Sequence, residues 1–175
     1  MIAEIQQGFR PKYLFFWGHQ PQSDGQLGKE CLSQWWSAPF EVDGVVYPTA
    51  EHYMMAEKAR LCGDHSSRVK ILAAPHPNVA KKLGRVVTGF DEERWNQHRF
   101  EVVVRGNIAK FSQHEALKTF LLNTKERILV KASPLDRIWG IGLAADDLRA
   151  QEPEQWPGLN LLGFALMEVR ARLQQ

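Results

Sequence analysis

The sequence predicts a predominantly helical α+β fold: one compact domain over residues 1–175 with a small sheet, residues 1–12 forming a loose N-terminal extension. Three observations predict it. A chain of 175 residues that is 44% hydrophobic and 24% charged can bury one sizeable core and is too apolar for disorder. Strand-like runs are short and few, at residues 13–17, 40–47 and 128–130. Helical patterns dominate after Pro48.

The elements follow from local signals. Tyr13-Leu14-Phe15-Phe16-Trp17 is an aromatic strand ending at Gly18, and Pro21, Ser23, Asp24, Gly25 and Gly28 make residues 19–29 a loop. Asp43-Gly44 between Phe40-Glu41-Val42 and Val45-Val46-Tyr47 predicts a two-residue hairpin. Thr49 can cap a helix over residues 50–62, which Gly63 stops; Asp64 caps a second through residue 73. Pro77 opens a third helix ending near residue 85. Asp91 caps a long helix carrying Trp95 and Lys110, and residues 115–122 form another. Ile128-Leu129-Val130 is a strand, residues 134–142 a loop, and residues 160–173 a closing helix with Asn160 as N-cap.

Composition narrows the function. Net charge is +2 with no run of like charges, so the chain lacks the electrostatic footprint of a duplex or anionic-membrane binder. A single phosphate-bearing ligand remains compatible. Two cysteines, Cys31 and Cys62, make no disulfide framework and read as reduced thiols in a cytoplasmic protein. Residues 1–10 lack the apolar run of a secretion signal, and no run approaches membrane-spanning length, so no membrane partner is expected. The six histidines lack metal-ligand spacing, so no metal is expected either.

The first long helix carries the most chemistry. At about 100° per residue, Glu51 and Lys58 fall within about 20° of each other, roughly 10 Å apart along the axis. Met54, Met55, Leu61 and Cys62 share that side, whereas Glu57 and Arg60 are expected to be solvated. Helical side chains lean toward the N-terminus, so Lys58 is expected to reach back toward Glu51. Spacing alone leaves a structural role open: Glu51 suits the first turn of a helix, and Lys58 can snorkel past the methionines. A carboxylate in an apolar site is otherwise suited to acid–base work or to stabilising a cation, and a desolvated lysine to nucleophilic attack. His52 is turned about 100° away and reads as a core or rim histidine.

Three later segments add candidates. On the long helix, Trp95, Arg99, Val103, Gly106 and Lys110 share a side and Val104, Ile108 and Phe111 another, the pattern of a central helix. Gly106 implies close approach of a backbone or ligand, or of a packed helix. In the 133–142 segment, Asp136 could hydrogen-bond a ligand, Trp139 could stack on a ring, and Gly140 and Gly142 could admit close backbone approach; an anchored turn is the alternative. The start of the last helix, at Asn160, could present free N–H groups to an anion.

Taken together these segments resemble the NADAR family, also called YbiA-like or riboflavin-intermediate N-glycosidases. The resemblance rests on an ordered set: Thr49-Ala50-Glu51-His52-Tyr53 with Lys58-Ala59, Leu83-Gly84-Arg85, Trp95, Ala109-Lys110-Phe111, Ser133-Pro134 with Asp136, Trp139-Gly140-Ile141-Gly142, and Gly158 with Asn160-Leu161-Leu162-Gly163, Leu166-Met167 and Arg170. Two segments depart from it. Leu32-Ser33-Gln34-Trp35 stands where the family usually reads Phe-Ser-Asn-Phe, and Lys131 where it often has a glutamate.

The resemblance implies a mainly helical α+β domain that cleaves the bond between ribose C1′ and a nitrogenous group, without metal or redox cofactor. Implied substrates are nucleotide-like: phosphorylated pyrimidine intermediates of riboflavin synthesis, or ADP-ribose on guanine or guanidino groups of nucleic acid or protein. On this reading Glu51 supplies a carboxylate, and Lys58, or Lys110 in its place, an amine that attacks C1′. Trp95 and Trp139 hold the leaving group, Asp136 hydrogen-bonds it or a ribose hydroxyl, and Arg85 pairs with a phosphate or, equally, forms a structural ion pair. Gly140 and Asn160 complete the expected substrate contacts. A non-catalytic module binding nucleotides or ADP-ribose would use the same aromatics and glycines but need no reactive lysine.

Overall fold

The computed structural model describes residues 2–8 and 10–175. In chain order its elements are α1 (Ile2–Gln6), β1 (Tyr13–Phe16), a 3-10 turn (Lys29–Leu32), β2 (Phe40–Val42), β3 (Val45–Tyr47), α2 (Ala50–Leu61), α3 (His65–Leu72), α4 (Pro77–Arg85), α5 (Glu92–Gln113), α6 (Glu115–Asn123), β4 (Ile128–Lys131), two further 3-10 turns (Leu148–Gln151 and Pro153–Gln155) and α7 (Leu161–Leu173). The fold is α+β and predominantly helical, as the sequence predicts. The strands form two two-stranded sheets rather than one. Contacts divide the chain into two compact units: Met1–Ser33 with Ala116–Gln175, and Gln34–Glu115.

In the first unit β1 runs parallel to β4, with Tyr13 opposite Ile128 and Phe16 opposite Lys131. A parallel pair needs cover on its faces, and both strands are apolar runs. Ile128, Val130, Ile141, Leu143 and Ala150 form a core against which Tyr13, Phe15, Trp156 and Met167 pack. The buried Arg170 on α7 donates to Thr124 Oγ1 at 2.7 Å and to the Arg127 carbonyl at 2.9 Å, so its charge has hydrogen-bond partners. Part of the expected loose extension is helical: Gln6 on α1 donates to Glu154 Oε1 at 2.6 Å, while Met1 and Phe9 lie outside the described residues.

Helix α7 meets β4 with no room for a side chain at Gly163. A Cβ there would stand 2.1 Å from the Leu129 carbonyl oxygen and 2.5 Å from Asn160 Nδ2. Backbone cannot yield as a flexible side chain does. Gly163→Ala should therefore cost about 3 kcal/mol, the upper range for overpacking. That lowers Tm by roughly 10 °C in a chain of this size, readable by calorimetry, and an unchanged Tm would show that α7 can move off the strand.

In the second unit Asp43 and Gly44 both take positive φ, 51° and 77°, as a type I′ turn demands. They join β2 to β3 in the expected register, Val42 opposite Val45. Thr49 caps α2 through the His52 N–H at 3.3 Å, and Asp64 and Asp91 cap α3 and α5 through Ser67 and Arg94. Helix α4 begins on a cap the sequence did not disclose: His76 Nδ1 accepts from the Asn78 N–H at 3.1 Å.

Helix α2 is enclosed by α3, α4 and α5. One expectation fails here. Glu57 is buried, not solvated, because α2 has no wet face over its first two turns. Its carboxylate takes the Arg60 Nε at 3.0 Å, and Arg60 supplies the outward end of the pair. Helix α5 is exposed over its first half and central over its second, where Val103, Val104, Gly106, Asn107, Lys110 and Phe111 are buried. Gly106 is explained by packing: a Cβ would stand 2.4 Å from the Tyr53 ring of α2.

Candidate active site

The second unit contains Glu51, Lys58, Arg85, Trp95 and Lys110. Glu51 is the second residue of α2, where the helix N-terminus favours a negative charge. Only 4% of it is exposed. Its N–H, one of the helix's orphan donors, goes to the Gln34 carbonyl at 3.0 Å. His52 is a core residue, as expected: its ring bridges Thr49 Oγ1 at 2.8 Å and the Ala74 carbonyl at 2.9 Å. The carbonyl can only accept, so Nε2 carries the proton and Nδ1 accepts from the hydroxyl. Burial pulls the imidazole below its usual range, the Ala74 bond opposes this, and His76 adds to the depression.

Lys58 does not run back along α2 toward Glu51. Its ammonium donates to the Gly84 carbonyl at 2.7 Å and stands 4.2 Å from the Phe90 ring centroid and 6.0 Å from that of Trp95. A carbonyl and aromatic faces offer more to a half-buried cation than the methionines along the helix do. Burial pulls its pKa down, a nearby Cys62 opposes this, and Arg85 adds to the depression. Arg85 is exposed at the end of α4. Beside this group lies a hollow of about 150 Å³ lined by Leu61, Cys62, Gly89, Asp91, Arg94 and Trp95. Lys110 differs from Lys58 in being fully buried, with its ammonium 5.0 Å from the Phe111 ring centroid.

The first unit contains Asp136, Trp139, Gly140 and Asn160. Asp136 accepts from Lys131 Nζ at 2.6 Å and from the N–H groups of Ile138 and Trp139 at 3.1 and 2.9 Å. Burial alone would raise its carboxyl, but the Lys131 ammonium and these N–H groups outweigh burial and hold it below the usual carboxylate range. Asp136 is thus a fixed anion, suited to accepting a hydrogen bond and unsuited to giving up a proton near neutrality. The Lys131 departure acquires a role the sequence did not reveal.

The sign of this interaction gives a test. A depressed carboxyl stabilises the fold above its unfolded pKa, and that stabilisation is lost as pH falls through the folded one. Lys131→Met leaves burial as the leading influence. The Asp136 carboxyl should then titrate at higher pH, and the share of the acid loss of stability that Asp136 contributes should shrink, because the gap between its folded and unfolded pKa closes. Carbon-13 NMR of the carboxyl reads this directly; an unmoved titration would mean the backbone N–H groups alone hold the charge.

Three expectations here are corrected. Asn160 sits at the N-cap position with φ 53°, but its side chain makes no cap. Its Oδ1 accepts the Lys131 N–H at 2.9 Å and its Nδ2 donates to the Leu129 carbonyl at 3.0 Å, so both ends of the amide are used on β4. At the α7 N-terminus the Leu161 and Leu162 N–H groups, expected to be free for an anion, donate to the Ile138 and Trp139 carbonyls at 3.2 and 3.1 Å. Gly140 is likewise a packing glycine: a Cβ would lie 2.9 Å from the Asp136 and Lys131 carbonyl oxygens. Trp139 is half-buried, and its ring remains a candidate contact.

Sequence reasoning also missed Gln34 and Asn107, both buried. Asn107 stands one turn before Lys110 on α5, and that spacing was the available signal. Among the described residues no three His, Cys, Asp or Glu side chains gather as a metal site needs. No helix among them is long and apolar enough to cross a membrane.

The family model described as "NADAR domain" matches residues 15–174. An N-glycosidase of Acanthamoeba polyphaga mimivirus is 41% identical over 94% of this chain and 98% of its own length. N-glycosidase YbiA of Escherichia coli strain K12 is 33% identical over 77% of this chain and 76% of its own. The NMR structure of E. coli YbiA superposes with a TM-score of 0.74 at 29% identity, covering 95% of this chain and 87% of that one.

Proposed function

The chain belongs to the NADAR family and is a hydrolase of N-glycosyl bonds, and from that premise we propose that it cleaves ribose C1′ from nitrogen on phosphorylated pyrimidine intermediates of riboflavin synthesis or on ADP-ribosylated guanine or guanidino groups. One observation carries the chemistry. Glu51 is an enclosed carboxylate at a helix N-terminus, and seven residues on the same helix bears a half-buried amine of lowered pKa.

Breaking the C1′–N bond builds positive charge on the sugar, and a carboxylate near C1′ stabilises it. Glu51 has that role, either as a fixed charge or in proton transfer. The Lys58 nitrogen gives its electron pair to C1′ while the pair of the breaking bond leaves with the base nitrogen, which takes up a proton. Opening of the ribose ring turns the adduct into an imine. Water then adds, and the lysine amine is released. Burial favours the uncharged amine that this step needs. Lys110 is the alternative amine, but it would have to be uncovered first. Trp95 holds the leaving group beside the hollow. Arg85 meets a phosphate.

The test incubates the protein with the phosphorylated pyrimidine intermediate, ADP-ribosylated guanosine and ADP-ribosyl-arginine, read by mass spectrometry. Release of the nitrogenous product from at least one supports the reading. Binding without release from any of them would replace it with a non-catalytic nucleotide or ADP-ribose module.

A further inference from the structure

The second unit contains a buried polar contact that the mechanism above does not use. Asn107 on α5 is fully enclosed. Its Nδ2 donates to Gln34 Oε1 at 2.8 Å and to the Val103 carbonyl at 2.9 Å. Both partners are acceptors, which fixes the orientation of the amide: the nitrogen must face them. The oxygen then points the other way, and no donor among the described residues reaches it. Gln34 is itself buried, and its backbone carbonyl accepts the Glu51 N–H at 3.0 Å.

An enclosed acceptor without a donor lowers stability, and an apolar residue of the same shape would avoid that loss. Leucine has nearly the same shape, and an α-helix favours leucine over asparagine. The fold therefore keeps at position 107 a residue that is poor for stability and good for one thing, a donor aimed at Gln34. Gln34 in turn fixes the first turn of α2 at the carboxylate-bearing residue.

We propose that Asn107 is a positioning residue: through the Gln34 side chain it holds the segment whose carbonyl binds the Glu51 N–H, and so sets where the Glu51 carboxylate stands. Asn107 does not touch the reacting atoms. The proposal rests on the role given to Glu51 above. It differs from a packing role in that removing the amide should disturb Glu51 and leave the core intact.

The experiment uses the full chain with Asn107→Leu, Gln34→Leu and the double variant. In Asn107→Leu, hydrogen exchange of the Glu51 amide should speed up about tenfold, the loss of one net hydrogen bond, while amides from Met55 to Arg60 keep their rates. Tm should hold or rise. For whichever of the three substrates the unmodified protein hydrolyses, kcat should fall by about ten- to a hundredfold with KM unchanged. The double variant should lose no more than either single one, because both act through one contact.

An unchanged Glu51 exchange rate overturns the proposal whatever the turnover shows. Faster exchange with unchanged kcat also overturns it, as do losses that add in the double variant. Faster exchange at Glu51 in a protein that hydrolyses none of the three substrates removes the proposed function and leaves Asn107 holding Glu51. The two failures are thereby told apart.

Discussion

Glu51→Gln should give a folded protein whose hydrolysis of N-glycosides falls by about 10²–10⁴-fold, the range for removing one well-placed catalytic group. The change replaces a carboxylate oxygen with an amide nitrogen and leaves size and helix position unaltered. The bond from the Glu51 N–H to Gln34 involves backbone only and survives. What is lost is the carboxyl group itself, as charge or as proton carrier, in an enclosed site where charge acts over a lower dielectric than in water. Circular dichroism and Tm should stay close to those of the unmodified protein, with a small loss from the helix N-terminus. If kcat is retained, Glu51 has no part in the chemistry and its burial is structural.

The second large effect concerns the amine. Treating the protein with substrate and borohydride should add a reduced sugar mass to Lys58, and Lys58→Met should abolish both the adduct and turnover, by a thousandfold or more for a lost nucleophile. Methionine keeps the apolar stem between Phe90 and Trp95 and removes only the nitrogen and its bond to the Gly84 carbonyl. Geometry favours Lys58 over Lys110 on accessibility: Lys58 is half-buried beside a hollow, whereas Lys110 is fully enclosed. Mass on Lys110 would show that the core around α5 opens during catalysis. No adduct on either residue would leave Glu51 with a direct attack by water.

Most of the fold could be read from local signals because most of its boundaries are set by neighbouring residues. The Asp43-Gly44 turn, the Thr49, Asp64 and Asp91 caps and Pro77 each act within a few residues, and each element stands where its signal places it. The errors arise where a distant partner decides. Asn160 has the residue type of an N-cap, yet β4 supplies better partners for its amide. Glu57 faces away from the apolar stripe of α2, yet that stripe has no opposite, because three helices surround it. Lys58 follows the aromatic pair and the Gly84 carbonyl, none of which lies on its own helix. Lys131 was noticed as a departure, but only the fold of the 131–136 segment showed that it meets Asp136.

The parallel pairing of β1 with β4 has a consequence in time. Tyr13 must wait for Ile128 before either strand has its partner, whereas the Gln34–Glu115 unit is one continuous stretch of chain. Pairings so far apart in sequence are slow to form, because a long loop must close before they contribute. On the ribosome the inner segment, with Glu51 and Lys58, can mature while the aromatic edge of β1 is still unpaired. That edge is the point at which a half-made chain is most exposed to aggregation, and a chaperone acting on this protein would do most for Tyr13-Leu14-Phe15-Phe16.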